Sequence, residues 1–515
     1  MHQAKRVAKN TGILYGKMLV TVFISLYTTR LILNALGTSD FGLFNLVAGA
    51  ITMLGFLNSS MASATQRFIS YAEGAKNEKR VKQIFNVSVI LHLFIAIIVL
   101  ILLEIAGYYF FSGYLNIPPD RLFAAKVIYQ CMVASTLLTV ISVPYDAVIN
   151  AHENMLFFAF IGIAEAILKL LIALYIVSFA TDRLIMYGIL MATSSIALLL
   201  VSRFYCKKNY NECTIDIKNY YDKGLMKEMA TFASWSLLGA SSSMIALNGQ
   251  GIVLNLFFGT IANAALGIAN QISGQLGAFA TNMLRALNPI IAKSEGAGDR
   301  KTMIRFSMTG SKISFFLLII FYIPVLLEMP YILSVWLKII PPYTIIFCIL
   351  ILIRNLIEQF YMTLTSSIRA VGKILVYEIF TSILLIAPFL VSYLLFSWHY
   401  PPYFMYVSVI FFTVILCAVV IYFARLYCSL SIKQYLINVV FRCTITFLMV
   451  LLIAFIPHYF TSEPITRLVL VCIVTGISYC FIVWYVGFNK DEKDLFNKLL
   501  EPVKIYVRNV LPINR

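Results

Sequence analysis

The chain has 515 residues, 61% of them hydrophobic and 12% charged, with a mean hydropathy of +0.87. A soluble domain carries about twice that share of charge, which excludes a soluble enzyme or binding module. The net charge of +17 is read below as topology and attraction to anionic headgroups, not as nucleic-acid binding.

Apolar runs of about 18 residues or more recur from end to end, each able to cross a hydrocarbon core about 30 Å thick. The predicted spans are 11–36, 40–63, 86–111, 122–147, 155–180, 183–204, 230–258, 261–284, 307–328, 342–366, 373–397, 403–425, 436–458 and 466–487. Solid runs such as 91–105 make them helices, because barrel strands would alternate over about ten residues. The expected fold class is an all-α integral membrane protein of about 14 transmembrane helices. The first 35 residues have some character of a secretion signal, but the apolar stretch is too long and no A-x-A site follows. They are read as a first span that stays.

An even number of spans puts both termini on one side. With the N-terminus inside, the inner loops hold Lys5, Arg6, Lys9, Arg67, Lys76, Lys79, Arg80, Lys82, Lys207, Lys208, Lys218, Lys223, Lys227, Lys293, Arg300, Lys301, Arg305 and the basic tail. The outer loops hold little beyond Arg121, Arg183, Lys338 and Arg467. This asymmetry places both termini in the cytoplasm. The nine cysteines show no C-x-x-C pattern and sit mostly inside spans, so a disulfide framework is not expected.

The chain repeats itself. Gly37-Thr38 after the first span is matched 222 positions on by Gly259-Thr260 after the seventh. At the same offset Leu54-Gly55 matches Leu276-Gly277, Met61 matches Met283, Ala64 matches Ala286, and residues 73–75 (Glu-Gly-Ala) match 295–297. Leu115-x-Ile117 before a Pro-Pro pair matches Leu337-x-Ile339 before another, and 151–155 falls opposite 370–374 at offset 219. Spans 1–6 and 7–12 are thus two copies of a six-helix unit. An even-numbered unit keeps its orientation, which implies parallel repeats around a central cavity, with the substrate between the halves. The expected organisation is an N-terminal lobe at 1–204, a cytoplasmic connector at 205–229, a C-terminal lobe at 230–430, two additional helices at 431–488 and a basic tail at 489–515.

Polar groups are costly in a bilayer and turn toward protein or water. Asn10, Lys17, Thr21, Ser25 and Thr28 share one face of span 1, and Asn45, Thr52, Ser59 and Gln66 recur along span 2. Ser234, Ser241, Asn248 and Asn255 do the same on span 7, and Asn263, Asn270, Gln271, Gln275 and Asn282 on span 8. Such stripes also serve as packing surfaces between helices. Their placement on the first two helices of both copies favours a hydrophilic cavity. Span 10 aligns Arg354, Glu358, Tyr361, Thr365 and Arg369, and span 5 carries the pair Glu165 and Lys169. Each pair is a candidate for substrate or ion binding, or a self-neutralising lock between helices. Arg30 lies inside the outer end of span 1, where it binds substrate or snorkels to the surface. Arg67 and Arg285 sit at the inner ends of spans 2 and 8, as a basic rim or as topology anchors. Cations outnumber Glu165 and Glu358 among these residues, which favours an anionic ligand.

There is no Walker A motif and no H-E-x-x-H, and the five histidines are scattered. Outer loops mostly under about fifteen residues leave little room for the catalytic site of a membrane polymerase or ligase of sugar chains. No cofactor or metal is expected.

Two six-helix units plus two helices resemble the multidrug/oligosaccharidyl-lipid/polysaccharide exporter superfamily, and within it the polysaccharide-flippase branch. The resemblance rests on residues 30–46 (RLILNALGTSDFGLFNL), on Val143-Pro144-Tyr145 running into 151–153 (Ala-His-Glu), and on Pro330 to Leu333 with Trp336, Leu337, Pro342 and Tyr343. It covers roughly residues 10–430. It implies alternating access and a polyprenyl-diphosphate-linked oligosaccharide, moved across a bacterial inner membrane for polysaccharide or lipopolysaccharide biosynthesis. Partners would be that lipid-linked substrate, membrane lipids, a proton or sodium ion if transport is coupled, and the polymerase and glycosyltransferases of the pathway. On this reading Lys17, Arg354 and the Arg67/Arg285 rim hold the diphosphate, with Arg30 and Lys169 as further cations. Asn45, Asn248, Asn270 and Gln271 meet sugar hydroxyls, and Glu358 or Glu165 couples an ion. A drug or organic-cation antiporter of the same fold is the alternative.

Overall fold

The computed structural model describes residues 2–52, 55–114, 119–178, 182–337, 340–490 and 492–494. Among them there is no strand. The α-helices are α1 (His2–Thr52), α2 (Gly55–Gly74), α3 (Glu78–Tyr109), α4 (Leu122–Ala151), α5 (Met155–Val177), α6 (Arg183–Asn209), α7 (Ile217–Tyr220) and α8 (Lys223–Gly296). They continue as α9 (Arg300–Leu327), α10 (Met329–Trp336), α11 (Thr344–Val371), α12 (Leu375–Ser397), α13 (Phe404–Cys428), α14 (Ile432–Tyr435), α15 (Arg442–Phe460) and α16 (Pro464–Ile482). Short polar residues start several of them by accepting from the first turn: Asn77 for α3, Asn154 for α5, Asp182 for α6 and Asp222 for α8.

Eleven helices among the described residues are long and apolar enough to cross a membrane, and each overlaps one of the predicted spans. The helix faces agree. On α3, Phe94, Ile97, Ile101, Ile105 and Tyr108 are exposed, while Val81, Ile84, Phe85, Ser88, Val99 and Leu103 are buried. An apolar outer face over a packed inner face is what a span in lipid requires.

The three other predicted spans fall in α1, α2 and the second part of α8. Here the sequence expectation needs correction. The breaks expected at Gly37-Thr38 and Gly259-Thr260 do not interrupt helical hydrogen bonding, because neither place has a proline to remove a donor. The chain nevertheless turns back. Asn10 donates to the Glu153 carbonyl (3.3 Å) and Glu73 sits 2.8 Å from His152, whereas Asp40 pairs with Arg121 at the far end of α4. Residues 10 to 40 and 40 to 73 each cover about 45–50 Å at a helical rise of about 1.5 Å per residue. α1 and α2 therefore go out and return, with the reversal near Asp40. Phe232 and Lys293, near the two ends of α8, meet Arg67 and Glu73 of α2. The same arithmetic puts a reversal of α8 near residue 262.

The chain divides into two compact units. The N-unit comprises Asn10–Ser241 with Ala292–Asp299; the C-unit comprises Ser242–Ile291 and Arg300–Arg515 with Met1–Lys9. In the N-unit, α4 packs on α3 and α6, and α5 packs on α6; in the C-unit, α11 packs on α9 and α13, and α12 packs on α13. These are the same three pairings one repeat apart. α15 and α16 pack on each other and on α9.

The backbone carries the duplication too. Left-handed φ angles occur at Lys76 (54°) and, 222 positions on, at Gly298 (73°); they recur at Glu153 (56°) and, 219 positions on, at Gly372 (92°). Inside the N-unit, a Cβ on Gly74 would lie 2.0 Å from the Lys293 carbonyl oxygen, and one on Gly296 would lie 2.0 Å from that of Tyr71. Gly74 and Gly296 are repeat mates, and so are Tyr71 and Lys293. The end of α2 thus crosses the end of α8 with pseudo-two-fold symmetry, backbone on backbone, a closeness only glycine permits.

Candidate functional site

The N-unit brings three of the expected residues to one rib. On α5, Phe158, Gly162, Glu165 and Lys169 follow helical spacing along one face. Lys17 of α1 lies over the Phe158 ring at 4.4 Å, and its chain fills the space above Gly162, where a Cβ would stand 2.1 Å from Cε. Two turns further, Lys169 Nζ donates to Glu165 at 2.6 Å with both side chains nearly half exposed. The rib carries two cations and one anion.

In the C-unit, Arg354 and Glu358 form their expected pair on α11 at 3.4 Å, each side chain about a quarter exposed. The Arg354 Nε is buried with no hydrogen-bond partner. Beside it Asn355 donates to Ser273 of α8 (2.8 Å) and to Tyr322 of α9 (3.3 Å). α8 also carries Asn270, half-buried, and Gln271, exposed, one turn before Ser273. Arg369, expected to extend this face, instead pairs with the buried Glu378 across the α11–α12 turn at 3.0 Å. That arginine is committed to the fold.

Arg67 sits among the rings of Phe68, Tyr71 and Phe232 at 4.6–5.3 Å, all within the N-unit. Arg285 is an exposed residue of the C-unit. The side chains of Arg30, Asn45 and Asn248 lie outside the described residues.

The best-built polar cluster was not among the sequence expectations. His152 follows α4, and its Nδ1 lies 2.8 Å from Glu73 while its Nε2 faces Glu212. Lys293 Nζ forms ion pairs with Glu73 (2.7 Å) and Glu153 (3.2 Å). Glu73, His152, Glu212 and Lys293, with Lys76 and Tyr210, border a cleft of about 630 Å³ outside the spans. Burial works against a charged imidazole, but hydrogen bonds to Glu212 and Glu73 outweigh it and push His152 up to about 9. Burial would also raise Glu73, yet His152 and Lys293 hold it below its ordinary value. Glu73, His152 and Glu212 place three ligand atoms within 4.8 Å of one another. Both ring nitrogens already face carboxylates, so a metal would have to displace those contacts. The signal available in sequence was the turn itself: Glu153 stands in a left-handed position whose repeat mate is glycine.

Residues 15–176 match the MatE family model. A curated relative, the uncharacterized membrane protein EpsK of Bacillus subtilis (strain 168), is 22% identical over 303 residues, 58% of this chain. The chain spans 59% of the length of that relative. Among solved structures, an outward-facing multidrug resistance MATE family transporter of the MOP superfamily aligns with a TM-score of 0.69 at 14% identity, covering 83% of this chain and 96% of that one. A MATE protein in its bent conformation aligns at 0.73 with 13% identity, covering 83% and 97%. A MOP superfamily transporter from Pyrococcus furiosus Vc1 (DSM3638), whose binding-pocket polarity is described as reversed, aligns at 0.70 with 14% identity, covering 83% and 96%. Eleven helices among the described residues long and apolar enough to span a membrane, two units that repeat one packing scheme, and these structural likenesses lead to one conclusion: the chain is a multi-pass membrane protein with the fold of MATE transporters.

Proposed function

We propose that the protein flips a polyprenyl-diphosphate-linked oligosaccharide from the cytoplasmic to the outer leaflet of a bacterial inner membrane, by alternating access, with both termini cytoplasmic. The observation that carries this reading is charge. Of the described candidate residues, Lys17, Arg67, Lys169, Arg285 and Arg354 are cationic, against Glu165 and Glu358. A diphosphate gains most from such groups where water is excluded. Lys17 and Arg354 hold the diphosphate, with Arg30, Arg67, Arg285 and Lys169 guiding it. Asn45, Asn248, Asn270 and Gln271 meet sugar hydroxyls. Glu358 or Glu165 couples a proton or sodium ion. Lys17→Ala with Arg354→Ala should abolish polymer export while the protein remains in the membrane. Normal export by that double variant would remove both residues from the substrate path.

A second reading is a multidrug or organic-cation antiporter. The half-exposed Glu165 favours it, as does the description of one structural neighbour as a multidrug resistance transporter. Efflux of cationic dyes, lost in Glu165→Gln and unaffected by Lys17→Ala, would decide for it.

A further inference from the structure

Where α9 begins, α13 ends and α14 starts, the C-unit opens a cavity of about 800 Å³. Among the described residues its charged lining is Arg300, Lys301, Arg305 and Lys312 against one carboxylate, Glu492. Lys301, Arg305 and Lys312 follow one another along one face of α9. Lys301 and Arg305 are exposed at the mouth, and Lys312 is 1% exposed at the floor. Both oxygens of Glu492 accept from the Lys312 ammonium, at 2.9 and 2.7 Å. The carboxylate is itself fixed: Asn489 N–H donates to it at 2.8 Å while the Glu492 N–H donates to the Asn489 side chain at 2.9 Å. Among the described lining residues, one anion faces four cations.

The spanning helices Arg300–Leu327, Phe404–Cys428 and Ile432–Phe460 all have an end at this cavity, which sets it at headgroup depth. Next to it the segment Leu436–Phe441 turns Asn438 and Val439 to the cavity and leaves Leu436, Ile437 and Phe441 exposed. A cationic pocket at headgroup depth beside an apolar flank matches one class of ligand.

The geometry points to a binding site for the phosphate of an anionic membrane lipid, with Arg300, Lys301 and Arg305 contacting the phosphate and Glu492 opposing it. Guanidinium forks suit phosphate oxygens, and the acyl chains lie along the Leu436–Phe441 flank. The test does not depend on the transported cargo, since lipid affinity is read without transport.

The test is native mass spectrometry of the purified full-length protein, titrated with cardiolipin, with phosphatidylcholine and with inorganic pyrophosphate. Cardiolipin should bind the wild type, about tenfold more weakly in Lys301→Gln with Arg305→Gln, and severalfold more tightly in Glu492→Gln. Phosphatidylcholine adducts should be the same in all three. Both residues of the double variant are exposed, so it retains the fold. Unchanged cardiolipin affinity in the double variant would overturn the proposal. Pyrophosphate binding more tightly than cardiolipin would overturn the lipid assignment in favour of a soluble anion.

Discussion

The α4–α5 turn of the N-unit and the α11–α12 turn of the C-unit occupy the same place in the two repeats and do opposite things with charge. At the second, Gly372 takes φ 92° without strain, and Arg369 before it pairs with Glu378 after it. The ion pair is local and closes one turn. At the first, a glutamate holds the left-handed position at φ 56°, which costs about 1 kcal/mol against glycine. In return Glu153 gives its carboxylate to Lys293 and its carbonyl to Asn10, beside the His152 links to Glu73 and Glu212. That turn ties α1, α2, the end of α8 and the segment after α6 into one hub. Duplication has preserved backbone geometry while side-chain electrostatics diverged.

The strongest test of the preserved part is the glycine crossing. Gly74→Ala or Gly296→Ala pushes a methyl group against a backbone carbonyl that has no rotamer to escape into. Each should cost about 1–3 kcal/mol, read as a lowered thermal-unfolding midpoint in detergent. The losses should be alike; a loss from one variant alone would show that the crossing is not two-fold.

The diverged part should respond to pH. His152 has a folded value of about 9 against an ordinary 6.5. Its contribution is therefore complete below pH 6.5 and lost as pH rises through 9. With partial exposure allowed for, the change should be about 2 kcal/mol. In His152→Gln the midpoint should stop falling over that window. An unchanged slope in His152→Gln would show that the hub does not carry this pH dependence.

The smallest effects sharpen the strain argument. Gly372→Ala should lose about 1 kcal/mol, and Glu153→Gly should exceed Glu153→Ala in stability by about the same amount. Equal stability of the two Glu153 variants, by the same unfolding measurement, would show that the left-handed position carries no strain there.

Most of the fold was legible because spans in lipid must be apolar over a fixed length, and because the repeat left Gly74, Gly296, Gly298 and Gly372 in register with their counterparts. The pairs Glu165–Lys169 and Arg354–Glu358 were legible for the same reason: helical spacing makes neighbours of residues four apart. The His152 hub was not, since its members come from residues 73, 152, 153, 212 and 293, and only the fold brings them together. Arg369 looked like part of the Arg354 face because its partner, Glu378, lies beyond a turn that helical phase does not cross. The unbroken hydrogen bonding through the two reversals was also hidden, because Gly-Thr marks a bend without requiring a break.

The central claim is that cationic residues of both units carry an anionic, lipid-linked cargo. Its most direct test is a proteoliposome assay with a fluorescent polyprenyl-diphosphate oligosaccharide in one leaflet and a cationic dye in the lumen. Wild-type protein should equilibrate the lipid across the leaflets and leave the dye inside, and Lys17→Ala with Arg354→Ala should stop the lipid movement. Dye efflux with no movement of the lipid would contradict the claim.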